Sequence, residues 1–233
     1  MIIDDAGYSL DELQEFLDLP GPLTIAVLPN LPHSREAAAR VLAAGKDLIL
    51  HCPMQPVGRE NPGPGALYVG QSADRVAALL DAAFASVPGA IGMNNHMGSA
   101  ATADPALMTD VLEYLKEKNL FYIDSRTTAD TVGPRIAREL GVPFTQRDVF
   151  IDDDPVETKV GVAFDAGIVA ARSTGSVVMI GHIQNRSVAA ILRSRNAALE
   201  GLGLKWASLR DVMRDRERKD LPVEDTRDRK LLR

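Results

Sequence analysis

The chain has 233 residues, 45% of them hydrophobic, and a formal net charge of −6. That length and apolar share suit one compact α/β domain, and mild acidity with dispersed basic residues argues against nucleic acid as a partner. A single cysteine, Cys52, excludes an intrachain disulfide, and 5% aromatics are too few for a broad sugar-stacking platform.

In chain order, Met1-Ile2-Ile3 reads as a strand running into Asp4-Asp5. No signal peptide or membrane-length apolar run is visible, and a strand that starts this abruptly leads us to expect a segment before Met1. Ser9-Leu10-Asp11-Glu12 is a capping box opening a helix to about Leu19, and Pro20-Gly21-Pro22 ends it. Leu23 to Leu28 is strand-like, and Ser34 is placed to cap an Ala-rich helix ending before Gly45. Asp47 to His51 is a strand. Pro53 to Gly70 is a long Pro- and Gly-rich loop, expected to rim a functional cleft. A helix from Ser72 or Asp74 to about Ser86 leads to a strand at 90–94.

Pro105 marks the first turn of a helix from about Asp104 to Lys118. Phe121-Tyr122-Ile123 enters Asp124. Then follow a helix over about 129–140, a short strand within Phe144–Ile151, a helix from about Pro155 to Arg172 and a strand at 177–181. A helix after Ser187, a short strand near Leu204-Lys205-Trp206 and a last short helix complete the fold. Residues 214–233 read as a charged tail, frayed or extended. The β-α alternation predicts a single α/β domain over 1–213 with a mostly parallel sheet; seven or so such units suit a closed or nearly closed barrel, with an open doubly wound sheet as the alternative.

The candidate chemistry lies at strand exits. Asp4-Asp5, His51, His96 and His182 each end an apolar run, and carboxyl ends of parallel strands are where such folds gather their sites. Asp and His brought from separate strands to one rim suit a divalent metal such as zinc. On an extended strand Asp4 and Asp5 would face opposite ways, so both reach one cleft only if the backbone turns there. Cys52 beside His51 reads first as a small apolar strand residue. Asn94-Asn95-His96-Met97-Gly98-Ser99 offers ligands, donors and close approach, and equally a turn. Asp124 suits orienting a histidine or contacting substrate, and Arg126 suits holding an oxyanion; the competing reading is a helix cap. Asp153 and Asp154 suit a helix N-terminus. His182 is placed as a proton donor, with Asp124 the expected carboxylate neighbour. No serine-hydrolase elbow and no nucleotide-binding glycine loop is present.

Taken together, Ile2-Ile3-Asp4-Asp5-Ala6-Gly7, His51 with Pro53-Met54-Gln55-Pro56, Asn94 to Ser99, Asp124-Ser125-Arg126-Thr127, Arg147 to Asp152 and Ile180-Gly181-His182 resemble the divergent polysaccharide deacetylases. This is a bacterial branch of the polysaccharide deacetylase and glycoside hydrolase barrel superfamily. The resemblance implies a distorted parallel (β/α) barrel of about seven strands and a metal-dependent hydrolase that removes an acetyl group from a cell-envelope polysaccharide, and hence a periplasmic or envelope location. It implies Asp4 as base, Asp5, His51 and His96 as ligands of a divalent metal such as zinc, and His182 as acid; Asn95, Asp124 and Arg126, read from the residues themselves, are the expected substrate contacts. The chain departs from the wider pattern at Gln55, where a second histidine would stand four residues after His51, and at Ile183, where a proline often follows Gly-His. The competing expectation is an inactive barrel that binds envelope glycan or a protein partner.

Overall fold

Each short β-branched run becomes a parallel strand, because its alternating side chains can be buried on both faces of the sheet. The computed structural model describes residues 1–220, with side chains through Arg216. The strands are β1 (Ile2–Ala6), β2 (Thr24–Val27), β3 (Asp47–Met54), β4 (Gly92–Met97), β5 (Phe121–Asp124), β6 (Phe144–Gln146), β7 (Val149–Phe150) and β8 (Met179–His182). They pair in parallel in the order β6-β5-β4-β3-β2-β1-β8-β7, in one sheet curled into a half-barrel.

The two edge strands are neighbours along the chain, separated only by Arg147 and Asp148. Arg147 N–H donates to Asp124 O, whereas Asp148 N–H donates to Val178 O. One short segment therefore changes partners midway and brings the sheet's two edges together. The single strand expected within Phe144–Ile151 divides in two for this reason, and about seven strands become eight. The strand expected near Leu204-Lys205-Trp206 does not form. Its neighbours β1 and β8 already have partners on both sides, and Trp206 instead donates to Asn196 Oδ1 at 2.7 Å.

The helices are α1 (Leu10–Leu17), α2 (Ser34–Ala43), α3 (Ala73–Ser86), α4 (Pro105–Glu117), α5 (Gly133–Leu140), α6 (Glu157–Thr174), α7 (Arg186–Gly201) and α8 (Leu209–Asp220). Ser9 accepts from the first-turn amide of α1, as its capping box predicts; of the two expected starts of α3 it is Ser72 that caps, and Asp104 caps α4. Ser34 does not cap α2. It is the first helical residue, and its hydroxyl donates to Leu28 O while accepting from Leu31 N–H, tying the β2 exit to the helix. The helix expected over about 129–140 starts at Gly133, where a Cβ would lie 2.8 Å from the Tyr122 ring and 3.0 Å from the Asp124 carboxylate. In the long loop, Leu67 bridges back to Met54, and Val57 N–H donates to Ser99 Oγ, so the segment is pinned at the exits of β3 and β4. The strand itself runs on through Cys52 and Pro53 to Met54, beyond the expected end at His51.

Period-two alternation divides the strands' apolar side chains between two cores. Ile3, Ile25, Leu48, Leu50 and Tyr122 pack outward with the helices. Ile2, Ala26, Ile49, Phe121, Ile123, Val178 and Ile180 point inward, where Leu209 and Met213 of α8 join them. The charged stretch from Arg214 to Asp220, expected as a frayed or extended tail, continues α8 instead. Arg216 reaches Asp148 and donates to Thr145 Oγ1 across the β6–β7 seam. The rest of the expected tail, 221–233, lies outside the described residues. Among the described residues no helix is long and apolar enough to cross a membrane.

Candidate metal centre

The inward rows of the strands end in polar groups at one rim. Ile2 is followed two residues on by Asp4, Ile49 by His51, and Ile180 by His182, while Asn94 and His96 share the inward face of β4. Register aligns them: Asp4 pairs with His182 and His51 with Asn94. The adjacency of Asp4 and Asp5 is resolved by the backbone. The β1–β2 register slips between Ile3 and Ala6, and Asp5 takes a left-handed φ of 68°. That extra residue swings Asp5 onto the same side as Asp4, at a strain that Asp tolerates better than most residues.

Asp5, His51 and His96 form a tight triangle. Asp5 Oδ1 lies 3.1 Å from His51 Nε2 and 2.9 Å from His96 Nδ1, and the two ring nitrogens are 3.1 Å apart. Neighbouring ligand atoms around a tetrahedral ion with bonds near 2.0–2.1 Å stand roughly 3.3 Å apart, so one divalent cation fits with little adjustment. Asp5 Oδ1 is buried and faces the two imidazole nitrogens, an acceptor that needs a proton or a cation between itself and them.

Asn94 fixes which His51 nitrogen faces the triangle. Its Nδ2 donates to Asp4 Oδ1 at 2.9 Å, so its Oδ1, 2.7 Å from His51 Nδ1, must accept. His51 therefore carries its proton on Nδ1 when neutral and aims the Nε2 lone pair at the triangle, as a metal ligand requires. Gln184 Nε2 donates to the other Asp5 oxygen at 3.4 Å.

Electrostatics separate the acidic pair. Burial raises the Asp4 pKa, with the Asp5 charge adding to the rise and His51 opposing it. Burial also pushes Asp5 up, but hydrogen bonding and charge from His51 and His96 outweigh it and hold Asp5 well below the usual carboxylate range. Burial pulls His51 down, and the charges of Asp4 and Asp5 more than reverse this, so its pKa is raised. Protons and a cation thus compete for the same negative site.

His182 stands beside this cluster, and Asp152 orients it. One Asp152 oxygen lies 3.2 Å from His182 Nδ1 and the other accepts from His182 N–H at 2.8 Å. Burial pulls this imidazole down, but Asp152, assisted by Asp5 and Asp4, carries it up to about 9.

A model of the divergent polysaccharide deacetylase family matches residues 1–213. The chain belongs to that family. A Haemophilus influenzae protein, itself uncharacterized, is 40% identical over 211 residues, covering 88% of this chain and 75% of its own length. The uncharacterized YibQ of Escherichia coli K12 is 36% identical over 78% of this chain, which spans 57% of YibQ. Among solved structures, the uncharacterized ATU2773 of Agrobacterium tumefaciens superposes with a TM-score of 0.86 at 20% identity, over 91% of this chain and 87% of that one. The catalytic domain of a Eubacterium rectale peptidoglycan N-acetylglucosamine deacetylase gives 0.56 at 14% identity, over 89% and 86%. A Clostridium thermocellum acetyl xylan esterase, solved with a cobalt ion, gives 0.52 at 11% identity, over 90% and 87%. At these identities the likeness is one of fold.

In this member of the family, Gln55 is turned to the long loop, where its side-chain oxygen accepts from Val69 N–H at 2.9 Å. His96 reaches the triangle from the adjacent strand instead. Asn95 and Asp124, read from sequence as substrate contacts, are placed otherwise. Asn95 faces away from His96, and all four of its hydrogen bonds are engaged: it donates to Met97 O and Thr127 Oγ1, and accepts from Tyr122 Oη and Ser125 N–H. Asp124 is wholly buried and accepts from Arg126 N–H and Thr131 Oγ1. Both hold the β5 exit together. The carboxylate beside His182 is thus Asp152, where the sequence pointed to Asp124. Arg126 remains at the surface of a groove, linked to Gln146 Oε1 at 3.2 Å. Sequence reasoning missed Asn94, Asp152 and Gln184. Strand alternation would have found Asn94, which stands two residues before His96 on the same face.

Proposed function

We propose that this chain is a metal-dependent deacetylase of a cell-envelope polysaccharide, removing an N- or O-acetyl group. The observation that carries the reading is the convergence of Asp5 Oδ1, His51 Nε2 and His96 Nδ1, flanked by Asp4 and His182. Membership of the divergent deacetylase family supports it, as does a fold shared with proteins named for deacetylating peptidoglycan and xylan.

A divalent cation such as zinc, held by Asp5, His51 and His96, would supply Lewis acidity to the acyl carbonyl and acidify the attacking water. Asp4 takes the proton from that water, its carboxylate buried beside the three ligand atoms. Asn94 holds Asp4 Oδ1 and leaves Oδ2 for the proton. As the C–N or C–O bond breaks, His182 delivers a proton to the departing nitrogen or oxygen. With a pKa near 9 it carries that proton at neutral pH, and Asp152 stabilises the charged form.

The test is metal content together with acetate release. Purified protein, stripped with chelator and reloaded with zinc, should hold about one ion per chain, as three protein ligands and an open position require. His51→Ala and His96→Ala should each lose it; full occupancy in both variants would remove this ligand set. Zinc-loaded wild type should release acetate from acetylated glycans. Metal binding without release from any acylated glycan would favour a barrel that binds glycan or a protein partner without turnover.

A further inference from the structure

We propose that the groove at the carboxyl ends of β5 and β6 binds a carboxylate carried by the glycan, on a sugar neighbouring the acyl-bearing one. That the ligand is a glycan rests on the deacetylase reading; that it is anionic rests on the groove alone.

Arg126, Thr127, Thr128, Gln146, Arg147 and Asp148 line the groove. Arg126 is held with a left-handed φ of 53°, and its side chain makes one hydrogen bond, to the neutral Gln146 amide. Arg147 lies alongside. Its Nε donates to Ser125 O at 2.7 Å and its Nη2 to Arg126 O at 2.8 Å, so it braces the loop that presents Arg126. Among the described residues neither guanidinium is ion-paired; every arginine ion pair belongs to another residue. The groove's own carboxylate is engaged elsewhere, since Asp148 pairs with Arg216 and accepts from Val178 N–H. Asp124 is buried beneath, accepting from Arg126 N–H and Thr131.

Two like charges side by side are costly, and the carboxylates nearby offset this only in part. Burial and the neighbouring Arg126 outweigh the charges of Asp153, Asp124 and Asp148 and pull the Arg147 pKa below its ordinary value. An anion in the groove relieves both, and the planar guanidinium fork matches a carboxylate bidentately. Asp148 at the same wall disfavours a doubly charged group, which selects a carboxylate over a phosphate monoester.

The groove adjoins the proposed acid. Arg147 Cζ lies 4.8 Å from the centroid of the Phe150 ring, and that centroid is 5.0 Å from the centroid of His182. One phenyl ring therefore separates the arginines from the histidine. A carboxylate bound there sits beside the reacting sugar rather than on it.

The experiment compares binding of an acetylated, uronic-acid-containing oligosaccharide with that of its carboxyl-reduced, neutral counterpart. Calorimetry would use the zinc-loaded chain carrying Asp4→Asn to suppress turnover. The acidic ligand should bind about tenfold more tightly, as expected for a charge-assisted pair, and the preference should shrink as salt is raised. Arg126→Gln should bring the ratio towards one, while Arg126→Lys should keep part of it. If Arg126→Gln does not fold, the acidic-to-neutral ratio in the unmutated groove and its salt dependence still decide. Equal binding of the two ligands, no binding of either, or tighter binding of a phosphorylated oligosaccharide would each overturn the carboxylate assignment. Acetate release by wild type is measured separately. An acidic preference without release from any glycan would keep the groove and remove the deacetylase reading; release without a preference would do the reverse.

Discussion

Asn94 connects the proposed base to a proposed ligand through one amide: its nitrogen holds Asp4 and its oxygen holds His51. Asn94→Ala frees the His51 tautomer and leaves Asp4 without its donor. Zinc affinity should fall about 10- to 100-fold, as for other groups that orient a ligand, measured by competition with a chromophoric chelator. An unchanged affinity would show that the ring is oriented by something else. Asp4 itself is separable from the ligands. Asp4→Asn keeps an oxygen for the Asn94 bond but cannot take a proton. Metal content should stay at the wild-type level while acetate release falls by about 10²- to 10⁴-fold; loss of the metal would make Asp4 a ligand instead.

At the scale of the element, strand ends place these groups. β1, β4 and the turn after β5 each contain a left-handed residue, at Asp5, Met97 and Arg126, where the chain leaves the sheet. At Asp5 the turn brings round a side chain that strict alternation would send the other way. At the opposite end, α8 seals the barrel with Leu209 and Met213, both nearly inaccessible to solvent. Met213→Ala should therefore destabilise the fold by about 2–5 kcal/mol, the range for emptying a buried apolar position, read from denaturant unfolding. A change below about 0.5 kcal/mol, the surface range, would mean that α8 is a dispensable cover.

For the molecule as a whole, the rim charges link stability to pH. His182 has a folded pKa of about 9, above its ordinary value of 6.5. Its pairing with Asp152 therefore contributes stability that is complete below about pH 6.5 and is lost as pH rises through about 9. In chelator-treated protein, the melting temperature of wild type minus that of His182→Gln should be largest near pH 6 and should shrink towards pH 9.5. A difference that stays constant or grows across that window would contradict the pairing. The magnitude is moderated because about a third of the His182 side chain is open to solvent.

The sequence by itself determined the alternation of strands and helices, three of the helix starts, and the strand exits at which Asp4, Asp5, His51, His96 and His182 stand. These follow from local periodicity and turn chemistry, which a chain carries in residues a few positions apart. Tertiary structure alone decided the rest. The bulge that brings Asp4 and Asp5 to one face depends on β1 pairing with β2. Asn94 joins Asp4 to His51 because β4 pairs with β3 and the curled sheet brings β1 within its reach. Asp152 rather than Asp124 meets His182 because β7 pairs with β8. The charged stretch from Arg214 is helical because the open barrel end gives Leu209 and Met213 an apolar surface to cover. Each of these depends on contacts between residues far apart in sequence, and no local pattern encodes which distant strand a residue will face.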